Sequence, residues 1–393
     1  MPNIFRAKQA DYDKTQELTA VNRPHGPGGR HYLAFVTGHG LGHLAQTVEM
    51  LGLLATAEKK SRFTICTSLD EQRVRERSEP LIPAERLAYL PDDGAVDIGM
   101  LMHDALDTDA PASLAAYRAI HAQWDRHTDH YISLMRASRP DHVLCNVAYL
   151  PLLAARRLGI PAAALCSLDW AGVFRHFCTG KPGAHGLFLE MVAAYSCADL
   201  FLQLQPHMPM PYLEKVQSVG PLARQGRRDR KALEAALPGY AGERIGLASM
   251  GGMPVAIPYA EWPRIPGVRW IVAPGKDLRD DLTGLDSLGI RFSDVLASCD
   301  FVLGKTGYGM VVESALSGVP MLYLPRADWP EEPGMLQWSQ QNNRTLVVTQ
   351  EQVMRGRLAA AIDRLLRMKK PPSPMKADAG QLVSLLHANR PGS

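Results

Sequence analysis

The sequence predicts an α/β protein built as two doubly wound halves that face one another across a cleft. Three observations carry that prediction: the length, the alternation of short β-rich runs with helical stretches, and glycine-rich turns set directly after strands. At 393 residues the chain is too long for one ordinary domain and suits two of about 150–200 residues each. Strand–helix alternation at this spacing argues for right-handed βαβ units and parallel sheets.

The first series opens at Tyr32–Thr37 (YLAFVT), followed by a glycine-rich turn and an apolar-periodic helix over His43–Thr56. Strands are read at 62–67 (RFTICT), 86–90 (RLAYL), 142–146 (HVLCN), 162–167 (AAALCS) and 200–204 (LFLQL), with a long helix over Ser113–Ala137 and another over Leu150–Leu158. Prolines crowd between Pro206 and Pro221, and a charged run, Arg224–Lys231, follows; this shift marks the domain boundary. The second series runs 245–250 (IGLASM), 268–273 (VRWIVA), 301–304 (FVLG), 321–325 (MLYLP) and 345–349 (TLVVT), with helices over Tyr308–Ser317, Gly334–Gln341 and Glu351–Met368. The organisation is therefore a polar lead-in over 1–29, a first half over 30–217, a second over 218–370, and a tail over 371–393.

Composition narrows the class. A hydrophobic share of 46% against 21% charged is that of a globular protein, and a net charge of +3 gives no case for a nucleic-acid partner. The six cysteines are scattered, without a metal-ligand or redox spacing, which points to buried thiols in a reducing cytoplasm. No run approaches the ~18–20 apolar residues of a spanning helix, so a cytoplasmic protein is expected, with peripheral membrane contact and oligomeric state left open. No metal is expected: Asp92-Asp93 and Asp280-Asp281 are adjacent pairs in loops rather than a D-x-D motif.

Three turns hold the candidate chemistry. The first is Thr37–His43, with glycines at 38, 40 and 42. Its G-x-G-x-G spacing, followed by a second strand ending Cys66-Thr67, departs from a dinucleotide fingerprint and argues against a nicotinamide enzyme. Gly40 and Gly42 let a ligand approach the backbone. His43 stands at the first helical turn, where an imidazole can act as general base on a hydroxyl; the competing reading is a backbone-bonded helix-start histidine, and His39 is read as a ligand or a structural bond. The second turn, Ser249–Pro254, presents Gly251 and Gly252 to an oxyanion. The third carries most weight. There a buried strand runs into Lys305-Thr306-Gly307-Tyr308-Gly309 and a helix, whose N-terminus offers amides and a positive dipole end to a diphosphate. Glu313 follows on the same helix, where a carboxylate suits a bidentate grip on ribose hydroxyls. Downstream, the 326–337 segment sets carboxylates and an amide where sugar hydroxyls can be read.

These motifs, namely VTGHGLGH at 36–43, PDDGAVDIG at 91–99, CADLFLQL with the following PMP, and CDFVLGKTGYGMVVESALSGVP with PRADWPEEP at 299–333, resemble the glycosyltransferase-like N-terminal half of L-arabinokinases. More distantly they resemble the lipid II-forming N-acetylglucosaminyltransferase and the GT-B nucleotide-sugar glycosyltransferases, over roughly residues 31–365. The resemblance implies a GT-B fold, two Rossmann-like domains across a cleft, and transfer of a sugar from a nucleoside diphosphate, with a UDP-sugar favoured as co-substrate and no further cofactor. It implies Gly251, Gly252 and the Thr306–Gly309 turn on the diphosphate, Glu313 on the ribose, Arg291 and Phe292 at the nucleobase, and Asp328, Glu332 and Gln337 near the donor sugar. His43 matches the histidine that closes the glycine loop and often serves as base.

Two departures stand out. Nothing here reads as the phosphate loop of the kinase half, so sugar-kinase activity is not expected. Where the arabinokinase-like pattern has an aspartate after the strand at 142–145, this chain has Asn146, which can orient an imidazole but cannot offset its charge. Asp169 is the substitute partner expected for His43, and Asp97, Asp104 and Asp107 form a second source of carboxylate. The expected activity is metal-independent, inverting glycosyl transfer. A nucleotide-sugar 2-epimerase and a non-catalytic nucleotide-sugar-binding module share the architecture and stand as alternatives.

Overall fold

The computed structural model describes residues 29–94, 97–103, 107–251, 257–273 and 279–388. Residues 1–28 of the polar lead-in, Gly252 and Asp104 fall outside these.

Apolar runs bounded by turns become buried parallel strands. In the first half these are β1 (His31–Val36), β2 (Arg62–Thr67), β3 (Leu87–Pro91), β4 (His142–Asn146), β5 (Ala162–Cys166), β6 (Leu200–Leu204) and β7 (Val216–Val219). They form one sheet in the order β3-β2-β1-β4-β5-β6-β7. In the second half β8 (Arg244–Ser249), β9 (Val268–Ala273), β10 (Leu282–Gly284), β11 (Phe301–Lys305), β12 (Met321–Leu324) and β13 (Thr345–Val347) form a sheet in the order β10-β9-β8-β11-β12-β13. Each sheet grows outward in both directions from its first strand. The order therefore reverses between β1 and β4, and again between β8 and β11. At such switch points the crossover helices depart to opposite faces and leave a crevice at the strand C-termini.

Several elements differ from the sequence reading. The long helix expected over 113–137 is two, Ala110–His121 and Trp124–Ser138, although no glycine or proline marks the break. The helix expected over 351–368 divides into Gln350–Met354 and Ala359–Arg367 at Gly356, whose φ of 62° is left-handed. A side chain at Gly356 would also meet the Trp262 ring, so both conformation and space call for glycine. The proline-dense boundary contains a strand, β7, so the first sheet reaches Val219.

The halves are stitched together at the linker. The Tyr308 hydroxyl accepts from Leu222 N at 2.9 Å and donates to the Gln205 carbonyl at 3.1 Å. In the tail, the helix Ala379–Ala388 returns to the first half, where Leu382 and Leu386 join the apolar cluster that contains Leu44 and Val48. Replacing Tyr308 by Phe leaves a buried N–H and carbonyl without this partner. It is expected to lower unfolding stability by about 1–3 kcal/mol, read as a shifted denaturation midpoint; an unchanged midpoint would remove the staple from the account.

Candidate functional site

The first switch point joins His43 to Asn146. After β1 the chain turns through 37–40, where Thr37 N donates to the Asn146 carbonyl at 2.8 Å. The helix Leu41–Ala57 then starts from Gly40 with no side-chain cap and no acidic residue in its first turn. Its leading amides keep their positive end unneutralised. A Cβ placed on Gly40 or Gly42 would meet nothing within 4 Å, so open space lies beside that helix start.

His43 Nδ1 lies 3.0 Å from Asn146 Oδ1. The Asn146 amide nitrogen donates to the His43 carbonyl and to Gln46 Oε1, both at 3.1 Å, which leaves Oδ1 as the atom facing the ring. Nδ1 therefore carries the proton and Nε2 keeps its lone pair. Protein atoms surround most of the ring while one part still reaches the cleft. Burial drives its pKa down to about 4, Asn146 partly offsets the fall, and His39 adds to it. The imidazole is neutral at physiological pH, a ready though weak proton acceptor.

The Trp170 ring stands between the two histidines, 5.2 Å from His39 and 5.7 Å from His43. His39 is lowered by burial and by the Arg326 charge, against a hydrogen bond to the Ile98 backbone.

Asp169 does not serve as the partner of His43. Its Oδ1 caps the helix Trp170–Cys178 by accepting from Gly172 N at 2.8 Å, and its Oδ2 accepts from the Tyr212 hydroxyl at 2.5 Å. Both oxygens of this fully buried group are engaged. The S-L-D-W sequence is a helix-capping signal, and the cap won. Asp97 lies beside Trp170: Thr37, Trp170 and the Gly99 amide lean toward its carboxylate, yet neither oxygen forms a hydrogen bond of good geometry, and burial lifts its pKa to about 7. Asp107 lies at the exposed end of the 97–109 segment, where its carbonyl accepts from His103 N.

The second switch point brings together the turns after β8 and β11. Gly251 is left-handed, φ 79°, and a Cβ there would stand 4.0 Å from Lys305 Cε. The helix Tyr308–Ser317 starts from Gly307 without a side-chain cap or an acid in its first turn. Not every residue of this turn offers a side chain. The Thr306 hydroxyl donates to Glu332 and accepts from Arg326 N at 3.0 Å, and Tyr308 is held by the linker. Tyr308 brings its backbone amide only, and Thr306 brings none, since its N–H donates to the Leu324 carbonyl at 3.0 Å. Farther along, Glu313 Oε2 is buried without a hydrogen bond, and burial raises the carboxyl to about 7 despite the Arg77 and Arg224 charges. A Cβ on Gly309 would stand 3.6 Å from its other oxygen, so glycine at 309 keeps the approach to Glu313 open.

Arg291 is exposed and its carbonyl accepts from Asp294 and Val295 at the start of the helix Phe292–Ser298, while Phe292 packs on the core. Of the residues read near a donor sugar, Asp328 reaches across the cleft to His176 Nε2 at 2.6 Å. Glu332 braces its own loop by accepting from Thr306 and from Arg326 N, which leaves Oε1 buried and unbonded. Gln337 is exposed on the helix Glu332–Asn342.

Sequence reasoning passed over three residues in this loop. The Arg326 guanidinium lies 3.6 Å over the Trp329 ring and its Nη2 is 3.5 Å from Met102 Sδ of the first half. Trp329 packs against Phe177, 5.9 Å away. Glu331 is 7% exposed and accepts from Trp329 Nε1 at 2.9 Å. An R-A-D-W-P-E-E-P run reads as carboxylates for sugar hydroxyls or as a solvated acidic loop; only its tryptophan hints at docking.

Among the described residues no group of three or more His, Cys, Asp or Glu is placed to hold a metal ion, and no helix is long and apolar enough to cross a membrane. The six cysteines are free and buried.

Two parallel sheets of this strand order, their switch points turned to one cleft, make this a GT-B fold, the architecture of nucleotide-sugar glycosyltransferases. Among solved structures of that architecture, the glycotransferase of kitacinnamycin aligns with a TM-score of 0.61 at 17% identity, covering 92% of this chain and 96% of its own. The calicheamicin glycosyltransferase CalG4 aligns at 0.54 and 16%, covering 91% and 93%. Arabidopsis thaliana UGT89C1 complexed with UDP-L-rhamnose aligns at 0.55 and 12%, covering 91% and 94%. By sequence, an L-arabinokinase of Arabidopsis thaliana is 23% identical over 304 residues, which is 76% of this chain and 28% of that protein. The chain thus spans little more than a quarter of that relative's length. No protein-family model matches the chain.

The tautomer is directly measurable. Nitrogen-15 NMR of the imidazoles should find His43 neutral and Nδ1-protonated from pH 6 to 8. Asn146→Asp puts a carboxylate on the ring and should raise its pKa by about 1–3 units. A wild-type His43 that titrates near 6.5 would contradict the buried, neutral assignment.

Proposed function

We propose that this protein transfers a glycosyl group from a nucleoside-diphosphate sugar, with UDP-sugar as the favoured donor, to a hydroxyl acceptor, with inversion at the anomeric carbon. The observation that carries this reading is the second switch point. An uncapped helix start, a left-handed glycine and a lysine converge there, and an unbonded buried carboxylate follows on the same helix. Amides and dipole suit a diphosphate; Glu313 suits two ribose hydroxyls. The named comparison structure of UGT89C1 holds UDP-L-rhamnose, which supports the donor class.

In this reading the second half holds the donor and the first half the acceptor. His43 Nε2 takes the acceptor hydroxyl proton as the acceptor oxygen bonds to the anomeric carbon. The bond from that carbon to the diphosphate oxygen breaks with its electron pair, and the nucleoside diphosphate leaves. Its developing charge meets the amides of 307–309 and the Lys305 side chain. A base with a pKa near 4 is weak, so proton transfer must accompany bond cleavage rather than precede it. Asp328, Glu332 Oε1 and Gln337 are proposed around the donor sugar, and Arg291 and Phe292 at the nucleobase. Asn146, a neutral partner for the imidazole, favours a second reading, a module that binds a nucleotide sugar without consuming it. Release of UDP from UDP-sugars in the presence of acceptors separates the two.

Calorimetry with UDP-glucose tests the donor site. Glu313→Gln should weaken binding about 10–100-fold, the worth of charge-assisted hydrogen bonds. Because Glu313 holds a proton below about 7 and accepts ribose hydroxyls best when ionised, wild-type affinity should strengthen as pH rises from 6 through 7 and level off above. The slope is at most about tenfold per pH unit for one linked proton, and Glu313→Gln should flatten it. Equal affinity for the two proteins would remove Glu313 from the site.

A further inference from the structure

The buried side of His43 leads to the other half of the molecule. Nδ1–H donates to Asn146 Oδ1 at 3.0 Å, Asn146 Nδ2 donates to Gln46 Oε1 at 3.1 Å, and Gln46 Nε2 donates to Ser167 Oγ at 3.4 Å. The Ser167 side chain stands next to the carboxyl of Glu331, which projects from the loop after β12; burial raises that carboxyl's pKa, while Trp329, Ser167 and the Arg326 charge act to keep it ionised. Asn146, Gln46 and Ser167 are 0–2% exposed, so solvent cannot replace any of these bonds. The three hydrogen bonds from His43 to Ser167 run the same way, donor to acceptor, and the acid of Glu331 stands beyond Ser167.

Glu331 is well placed to anchor it. One oxygen is fixed by Trp329 Nε1, and the backbone carbonyl accepts from Met335 N at the start of the helix Glu332–Asn342. The other oxygen is buried and has no formed hydrogen bond. Trp329 and Arg326 seat the loop against Phe177 and Met102 of the first half, which keeps the acid at the cleft floor.

We propose that Glu331 is a positioning residue for His43, acting from the second half through Ser167, Gln46 and Asn146. It supplies, at the far end of a polarised hydrogen-bond chain, the negative charge that Asn146 lacks. Chains of this kind polarise one another, and the carboxylate favours the tautomer that leaves Nε2 free. The consequence is that the base is set only when the loop carrying the sugar-reading residues is docked. This inference rests on the role of His43 as base, but its readout does not.

The test uses nitrogen-15 imidazole NMR of the full chain, with calorimetric UDP binding as a separate measurement. Glu331→Gln keeps shape and hydrogen bonding but removes the charge; Ser167→Ala cuts the chain from the other side. Both should shift the His43 Nδ1 signal in the same direction and raise the Nε2-protonated share, with UDP affinity within about twofold of wild type. On an Asn146→Asp background, Glu331→Gln should no longer move the ring. His43 signals identical to wild type in both single variants would overturn the proposal. A large loss of UDP affinity with unmoved His43 signals would overturn it too, since Glu331 would then contact the nucleotide. Failure of the wild-type protein to bind UDP would sink the donor site and leave the imidazole result intact.

Discussion

Two helices that begin without a side-chain cap govern this molecule. One leaves β1 at Gly40 and the other leaves β11 at Gly307, each at the strand-order reversal of its own sheet. A capped start would satisfy its own amides and offer little to a ligand. Glycine at both positions leaves the amides unsatisfied by side chains and the approach open. The candidate site groups gather at those two ends: the His43–Asn146 pair at one, Gly251, Lys305 and Glu313 at the other.

Bringing the two ends together falls to a short loop and a linker. Tyr308, in the first turn of the second uncapped helix, ties that helix to the connection between the halves. The 326–331 loop inserts Trp329 among aromatic side chains of the first half and brings Arg326 within electrostatic reach of His39. Asp328 meets His176 on the rim. The same loop supplies the residues proposed to read the donor sugar and the buried interdomain contacts, so in the proposed function recognition and docking draw on one segment. That economy has a chemical cost: Glu332 gives one oxygen to hold Thr306 and keeps only one for a ligand.

The fold was legible because strand and turn chemistry are local. Apolar runs ending in glycine turns give the parallel strands, and Gly356 carried the signal for a helix break that periodicity alone misses. The resemblance drew attention to Asn146 as an orienter of His43, and the structure pairs the two where β1 and β4 adjoin at the reversal. What escaped was competition for side chains. Asp169 looked like a free acid near the site, but a helix start beside it needed a cap. Thr306 looked like a phosphate ligand, but the adjacent loop needed its hydroxyl. Glu331 was read only as one of several loop carboxylates facing a sugar, because nothing local announces that Trp329 will carry it under the opposite half. Such assignments depend on which tertiary neighbour arrives first in space, and no spacing rule encodes that.

The central claim, that the Gly307 helix start grips a diphosphate, is open to one direct measurement. Hydrogen–deuterium exchange of the full chain with and without UDP should show slowed amides over residues 305–310, with Gly251 and its neighbours following. Protection confined to other segments, with the 305–310 amides exchanging unchanged while UDP is bound, would contradict it.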